Sequence, residues 1–161
     1  MSNTKKLTVA GVCIALYIVV MACTQSFAFG QYQIRIATAL YGLSAVFPFL
    51  IIPFGLANVL SNTLMGGLGI LDIAGGFAVG IVTTWLIAAA KRRGCGNWCV
   101  WAAITFVPGL CVPLWLSVLL ELPYLLLASS LLVGQCICGL AGMGLVTALE
   151  KCGVNFLAEN N

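Results

Sequence analysis

Ala88-Ala89-Ala90-Lys91-Arg92-Arg93-Gly94 ends a long apolar run with three consecutive cations and a glycine. No acidic or basic residue separates Asp72 from Lys91. A stretch of about 20 apolar residues spans a bilayer, and Lys and Arg collect on its cytoplasmic flank. The triplet therefore marks the inner end of a membrane helix. Lys5, Lys6 and Lys151 sit at the ends of other apolar stretches. If these four sites share one side, only Arg35 lies on the other. An even number of crossings satisfies this, with six as the expected count. Five or seven would split the cations between sides.

Seven Lys and Arg and four Asp and Glu make up 7% of 161 residues, against 62% hydrophobic; mean hydropathy is +1.13. A soluble domain carries about 25% charged residues. Lipid must cover this surface. The net charge of +3 comes from helix ends, not from a basic stripe with interleaved aromatics, so no nucleic-acid partner is expected. The fold class expected is an all-α integral membrane protein with six transmembrane helices. Both termini are cytoplasmic, and residues 1–161 form a single domain.

The expected helices cover residues 7–28, 36–47, 53–65, 71–90, 97–120 and 124–149. Ser26-Phe27-Ala28 after an apolar run imitates a signal-peptide end; an uncleaved first helix is the expectation. Residues 36–71 carry no charge, yet Pro48 and Pro53 interrupt them. Proline removes a helical hydrogen bond. Two short helices joined by an inside turn are expected, and short spans are tolerated where protein or a cavity satisfies the backbone. Trp98 and Trp101 sit at an inner boundary as interfacial anchors. Gly76 and Gly80, and the glycines of helix six, read as internal packing.

Eight cysteines, no histidine and no C-x-x-C leave no metal or redox signature. Five cysteines fall in apolar runs, where Cys is a small hydrophobe. No metal and no cofactor is expected. There is no Walker A loop and no G-x-S-x-G, so an enzyme is not expected. A thiol oxidoreductase is the weaker alternative.

Arg35, Asp72 and Glu121 fall near outer helix ends. Arg35 and Asp72 have two readings: an ion pair that fixes packing, or one wall of an outward-opening pocket. Glu121, beside Pro123, reads as solvated. The pocket reading adds Gln31, Gln33, Asn58 and Asn62, with Phe27, Phe29, Tyr32 and Tyr41 as stacking surfaces. A planar polar heterocycle suits such a site.

At Gln33-Ile34-Arg35-Ile36-Ala37-Thr38-Ala39-Leu40, at Pro48, Pro53 and Gly55 to Asn58, and at Gly67-Leu68-Gly69-Ile70-Leu71-Asp72-Ile73, the chain resembles the QueT family. These are substrate-binding S components of energy-coupling-factor (ECF) transporters. The similarity runs from helix one to Ala148-Leu149-Glu150-Lys151. It implies a six-helix ECF S-component bundle in the bacterial plasma membrane. The bundle would capture a queuosine precursor or related 7-deazaguanine (preQ1, queuine or queuosine). The implied partners are a transmembrane T subunit and two cytoplasmic ATPases. Gly11 and Ala15 match the small residues of helix one that meet the T subunit. The expected substrate-binding residues are Arg35, Asp72, Gln135, Thr38, Gln33, Tyr32 and Asn58. An S component for a different vitamin is the alternative within the class.

The chain departs from the family pattern in three places. Thr38 stands where Glu is usual, Gln135 replaces the Glu of a Gly-Glu pair, and Pro108 lies nearest a usual Asn. Two carboxylates have become neutral. A desolvated ammonium then lacks a partner, so queuine or queuosine is expected to bind better than preQ1.

Overall fold

The computed structural model describes residues 1–28, 34–65 and 67–154. Among these there is no strand. Helix α1 spans Asn3–Cys23 and opens at Ser2, whose hydroxyl accepts the Lys5 N–H at 3.4 Å. Such a side chain satisfies one of the orphan donors of a first turn. The helix ends earlier than the hydropathy implies. Thr24 places both its hydroxyl and its N–H on the Val20 carbonyl, at 2.7 and 3.0 Å. A one-turn helix, α2 (Gln25–Ala28), follows.

The second expected helix is a 3-10 helix, Ile36–Ala45. At about 2.0 Å per residue, ten residues reach about 20 Å, short of a hydrocarbon layer of about 30 Å. A second short 3-10 turn, Pro48–Leu50, leads into α3 (Ile51–Met65). Pro53 lies in the first turn of α3, where a backbone N–H has no helical acceptor to lose.

Helix α4 covers Ile70–Arg92 and follows Gly69, whose φ of 105° is open mainly to glycine. Helix α5 (Trp98–Leu120) runs through Pro108 and Pro113, and α6 covers Tyr124–Lys151. Glu121 joins them in a left-handed conformation, φ 53°, and its N–H bonds to Ser117 O. That turn satisfies a carbonyl at the end of α5. Among the described residues, five helical segments are long and apolar enough to cross a membrane: Asn3–Cys23, Pro48–Met65, Ile70–Arg92, Trp98–Leu120 and Tyr124–Lys151.

Each long helix packs on the next, α1 on α3, α3 on α4, α4 on α5 and α5 on α6. The 3-10 helix fills the middle and touches α1, α4, α5 and α6. Seven of its ten residues are buried. Its approach to α6 is backbone on backbone. A Cβ on Gly42 would lie 2.9 Å from the Gly142 carbonyl, and one on Gly142 would lie 2.9 Å from the Ala39 carbonyl. Small residues permit such contacts in a membrane bundle. Gly76, Gly80 and Gly139 also face neighbouring elements, in line with the packing role expected of them, whereas Gly144 meets nothing.

Leu7, Trp85, Leu114, Val118 and Leu125 point outward, as a lipid-covered surface requires. Glu150 Oε1 accepts from Lys91 Nζ at 2.8 Å, and the same ammonium reaches Asn97 Oδ1 at 2.6 Å. Asn97 donates to Glu150 Oε2 and to Thr147 Oγ1. One network thus ties the end of α4, the start of α5 and the end of α6. At the opposite end, Gln25 donates to the Met65 carbonyl at 3.4 Å.

Candidate functional site

The buried polar residues Thr38, Asn58, Asn62, Asp72 and Gln135 gather toward the end away from Lys91–Arg93. In a 3-10 helix, residues three apart eclipse one another. Thr38, Tyr41 and Ser44 therefore form one polar face of the central helix, and all three are buried. Ser44 bonds to the Tyr41 and Thr84 carbonyls. Tyr41 and Thr38 line a small, partly open cavity.

Five elements supply the wall. Arg35, Thr38 and Tyr41 come from the start of the 3-10 segment, and Asn58 from α3. Asp72, Gly76 and Val79 come from the first turns of α4. Pro108, Val112 and Trp115 come from the middle and second half of α5, and Leu131 and Gln135 from the first half of α6.

The polar groups form a connected network. The Thr38 hydroxyl lies 2.7 Å from the Arg35 carbonyl and 3.0 Å from Gln135 Oε1. The Arg35 guanidinium donates to Asn62 Oδ1 at 3.2 Å, and Asn62 Nδ2 donates to the Asp72 carbonyl at 3.4 Å. Arg35 and Asp72 are thus bridged through Asn62. Asp72 is 3% exposed. Its Oδ1 takes the Trp115 indole N–H at 3.0 Å, and its Oδ2 takes the Leu68 N–H at 3.3 Å. Hydrogen bonds to a charged acceptor hold it in a poorly solvated place.

A second chain enters from α1. The Tyr17 and Tyr41 hydroxyls lie 3.3 Å apart, with their rings stacked at 5.8 Å. Asn58 Nδ2 donates to Tyr41 Oη at 2.9 Å and to the Gly76 carbonyl at 2.8 Å. Tyr41 is therefore a structural tie between α1, the 3-10 helix and α3 as well as a wall of the cavity.

Five of the seven expected binding residues meet here: Arg35, Asp72, Gln135, Thr38 and Asn58. Gln33 and Tyr32 lie outside the described residues, as do Gln31 and Phe29. Glu121 is exposed at the C-cap of α5 and lines no part of the cavity. Gly11 and Ala15 are exposed on α1, and a Cβ on Gly11 would meet nothing within 4 Å.

Trp115 lines the cavity although neither run length nor charge position singles it out in the sequence. Its one signal is chemical: the N–H of a partly buried indole seeks an acceptor, and Asp72 Oδ1 supplies it. Gly76, Val79, Val112 and Leu131 carried no such mark, since apolar and small residues fill every span. None of the eight cysteines lines the cavity. Among the described residues no three His, Cys, Asp or Glu gather to hold a metal ion.

An apolar helical bundle with apolar side chains on its outer surface, and with a cavity whose wall carries both polar and apolar groups, defines a multi-pass membrane protein. The QueT transporter family matches residues 7–151, and the chain belongs to that family. It is a transporter component for a small-molecule substrate rather than an enzyme. No curated protein and no solved structure matches the chain.

Proposed function

We propose that this protein is the S component of an ECF-type transporter in the bacterial plasma membrane, and that its cavity binds a 7-deazaguanine of the queuosine pathway. The observation that carries the reading is the convergence of Arg35, Thr38, Asn58, Asp72 and Gln135 on one cavity in a chain of the QueT transporter family. A planar heterocycle with several donors and acceptors fits such a wall, where amides, a hydroxyl, a carboxylate and a guanidinium stand among apolar residues. The 3-10 helix counts as the second of six crossings, shortened where the cavity opens. With the Lys91–Arg93 end in the cytoplasm, as positive charge favours, the cavity faces out. The chain then acts as one six-helix domain. Gly11 and Ala15, exposed on α1, present a small-residue face to a T subunit that two cytoplasmic ATPases drive.

Thr38, Pro108 and Gln135, the positions that depart from the family pattern, all line the cavity. The carboxylate that remains there, Asp72, already accepts from Trp115 and Leu68. A primary ammonium is strongly hydrated, and its burial is costly without a free anionic partner. The expected order is therefore queuine or queuosine above preQ1, since their amine is secondary and sheds fewer hydrogen bonds to water.

Calorimetric titration of the purified protein with preQ1, queuine, queuosine and a panel of vitamins tests both statements. Saturable binding of a deazaguanine, with no vitamin bound, supports the cargo class. Tight binding of a vitamin and none of any deazaguanine overturns it. PreQ1 binding tightest overturns the proposed order alone.

A further inference from the structure

One acceptor on the cavity wall is left over. Asn58 is 4% exposed, and both hydrogens of its amide are committed, to Tyr41 Oη and to the Gly76 carbonyl. A backbone carbonyl can only accept, so the Gly76 contact identifies which end of the amide is nitrogen. The other end, Oδ1, is buried with no hydrogen-bond partner. Each of the other side-chain acceptors around the cavity has a donor within reach. Asp72 takes Trp115 and Leu68, Asn62 Oδ1 takes Arg35, and Gln135 Oε1 shares the single Thr38 hydroxyl hydrogen with the Arg35 carbonyl. Gly76 keeps the space beside Oδ1 clear, because a Cβ there would lie 3.2 Å from Oδ1 and 2.8 Å from Asn62 Nδ2.

A buried polar atom without a partner is rare and calls for an explanation. We propose that Asn58 Oδ1 is the specificity-reading acceptor of the cavity, and that it takes one N–H of a planar heterocyclic cargo. The proposal rests on the cavity being the cargo site, as argued above. Two donations and a helical backbone hold the amide, so the acceptor is oriented before the cargo arrives. A site that leaves its own buried acceptor unpaired rejects analogues lacking the matching hydrogen far more strongly than a shape-only pocket does. Asn58 thus selects by hydrogen bonding, while Tyr41, Val79, Pro108 and Leu131 supply the apolar wall.

The test is a cycle between protein and ligand, which cancels structural side effects common to both arms. The probes are 7-deazaguanine and its three mono-methylated forms, at N1, at the exocyclic amine and at N9. Each is titrated calorimetrically into the full chain and into Asn58→Val. The expected result is that one methylated form binds the unsubstituted protein roughly 10- to 100-fold more weakly. That penalty then shrinks to within about 2-fold in Asn58→Val, while the other two penalties stay unchanged. If Asn58→Val does not yield a helical, monodisperse protein, Asn58→Ser carries the same cycle and keeps a polar neighbour for Tyr41. Binding of 7-deazaguanine with all three penalties independent of residue 58 overturns this inference and leaves the cargo site standing. No binding of 7-deazaguanine by the unsubstituted protein removes the cargo reading and this inference together.

Discussion

Thr38 and Gln135 are 97 positions apart and meet at 3.0 Å on the cavity wall. A carboxylate at Thr38 would give an ammonium cargo an anionic partner beside Asp72, which already accepts from Trp115 and Leu68. We therefore expect Thr38→Glu to tighten preQ1 binding about 10-fold relative to queuine, equivalent to about 1.4 kcal/mol. Competition calorimetry measures the ratio, and an unchanged or reversed ratio removes the charge argument. Trp115 offers a separate check. Trp115→Phe leaves Asp72 Oδ1 without the indole donor it now has. Hydrogen bonds to charged groups contribute about 1.5–3 kcal/mol, so the melting temperature in detergent should fall by several degrees. A melting temperature equal to that of the unsubstituted protein would show that the bond contributes nothing. At this scale the sequence was partly legible. Arg35 and Asp72 stood out because charges are rare in apolar spans. Trp115 did not, because an indole is ordinary in a membrane helix until its acceptor is located.

The central 3-10 helix decides the element scale. An α-helix turns about 100° per residue, which would rotate Thr38, Tyr41 and Ser44 progressively away from one another. The tighter 3-10 winding stacks them, turning one face wholly polar while the Ala39–Gly42 face meets α6. The proline pattern revealed that this piece was short, but not how it was wound. Winding depends on how closely α6 approaches, and that contact joins residues 100 positions apart: Gly42 and Gly142. Gly42→Ala would bring a methyl carbon within 2.9 Å of a backbone oxygen. Overpacking of this kind costs about 1–3 kcal/mol. Gly144→Ala, where nothing lies within 4 Å, is the control and should be neutral or stabilising, since alanine is the better helix former by about 1 kcal/mol. Equal melting temperatures for the two variants would show that the close approach is not a constraint.

On the scale of the whole molecule, one end holds the Lys91–Asn97–Glu150 network and the other holds the cavity. If the cation-rich end faces the cytoplasm, a reporter fused after Arg93 is active only in the cytoplasm, and one fused at Glu121 only outside it. The reverse pattern would turn the cavity toward the cell interior and defeat capture from outside. Cation placement was readable without a structure, because each cluster sits beside an apolar run long enough to span. Apolar run length also revealed four of the five long segments nearly to their ends. It ran α1 and the one-turn α2 together as far as residue 28, whereas a single turn residue, Thr24, separates them.

By itself the sequence determined that this chain lives in lipid, where its helices lie, and which scarce polar residues have to be accounted for. Those follow from local quantities, namely run length, charge position and the missing N–H of proline. Tertiary structure alone decided which polar residues share a wall, that Arg35 reaches Asp72 through Asn62, and that Asn58 keeps an acceptor in reserve. Hydrogen-bond partners depend on distances between helices, and no pattern along a single helix encodes the facing side chain on another.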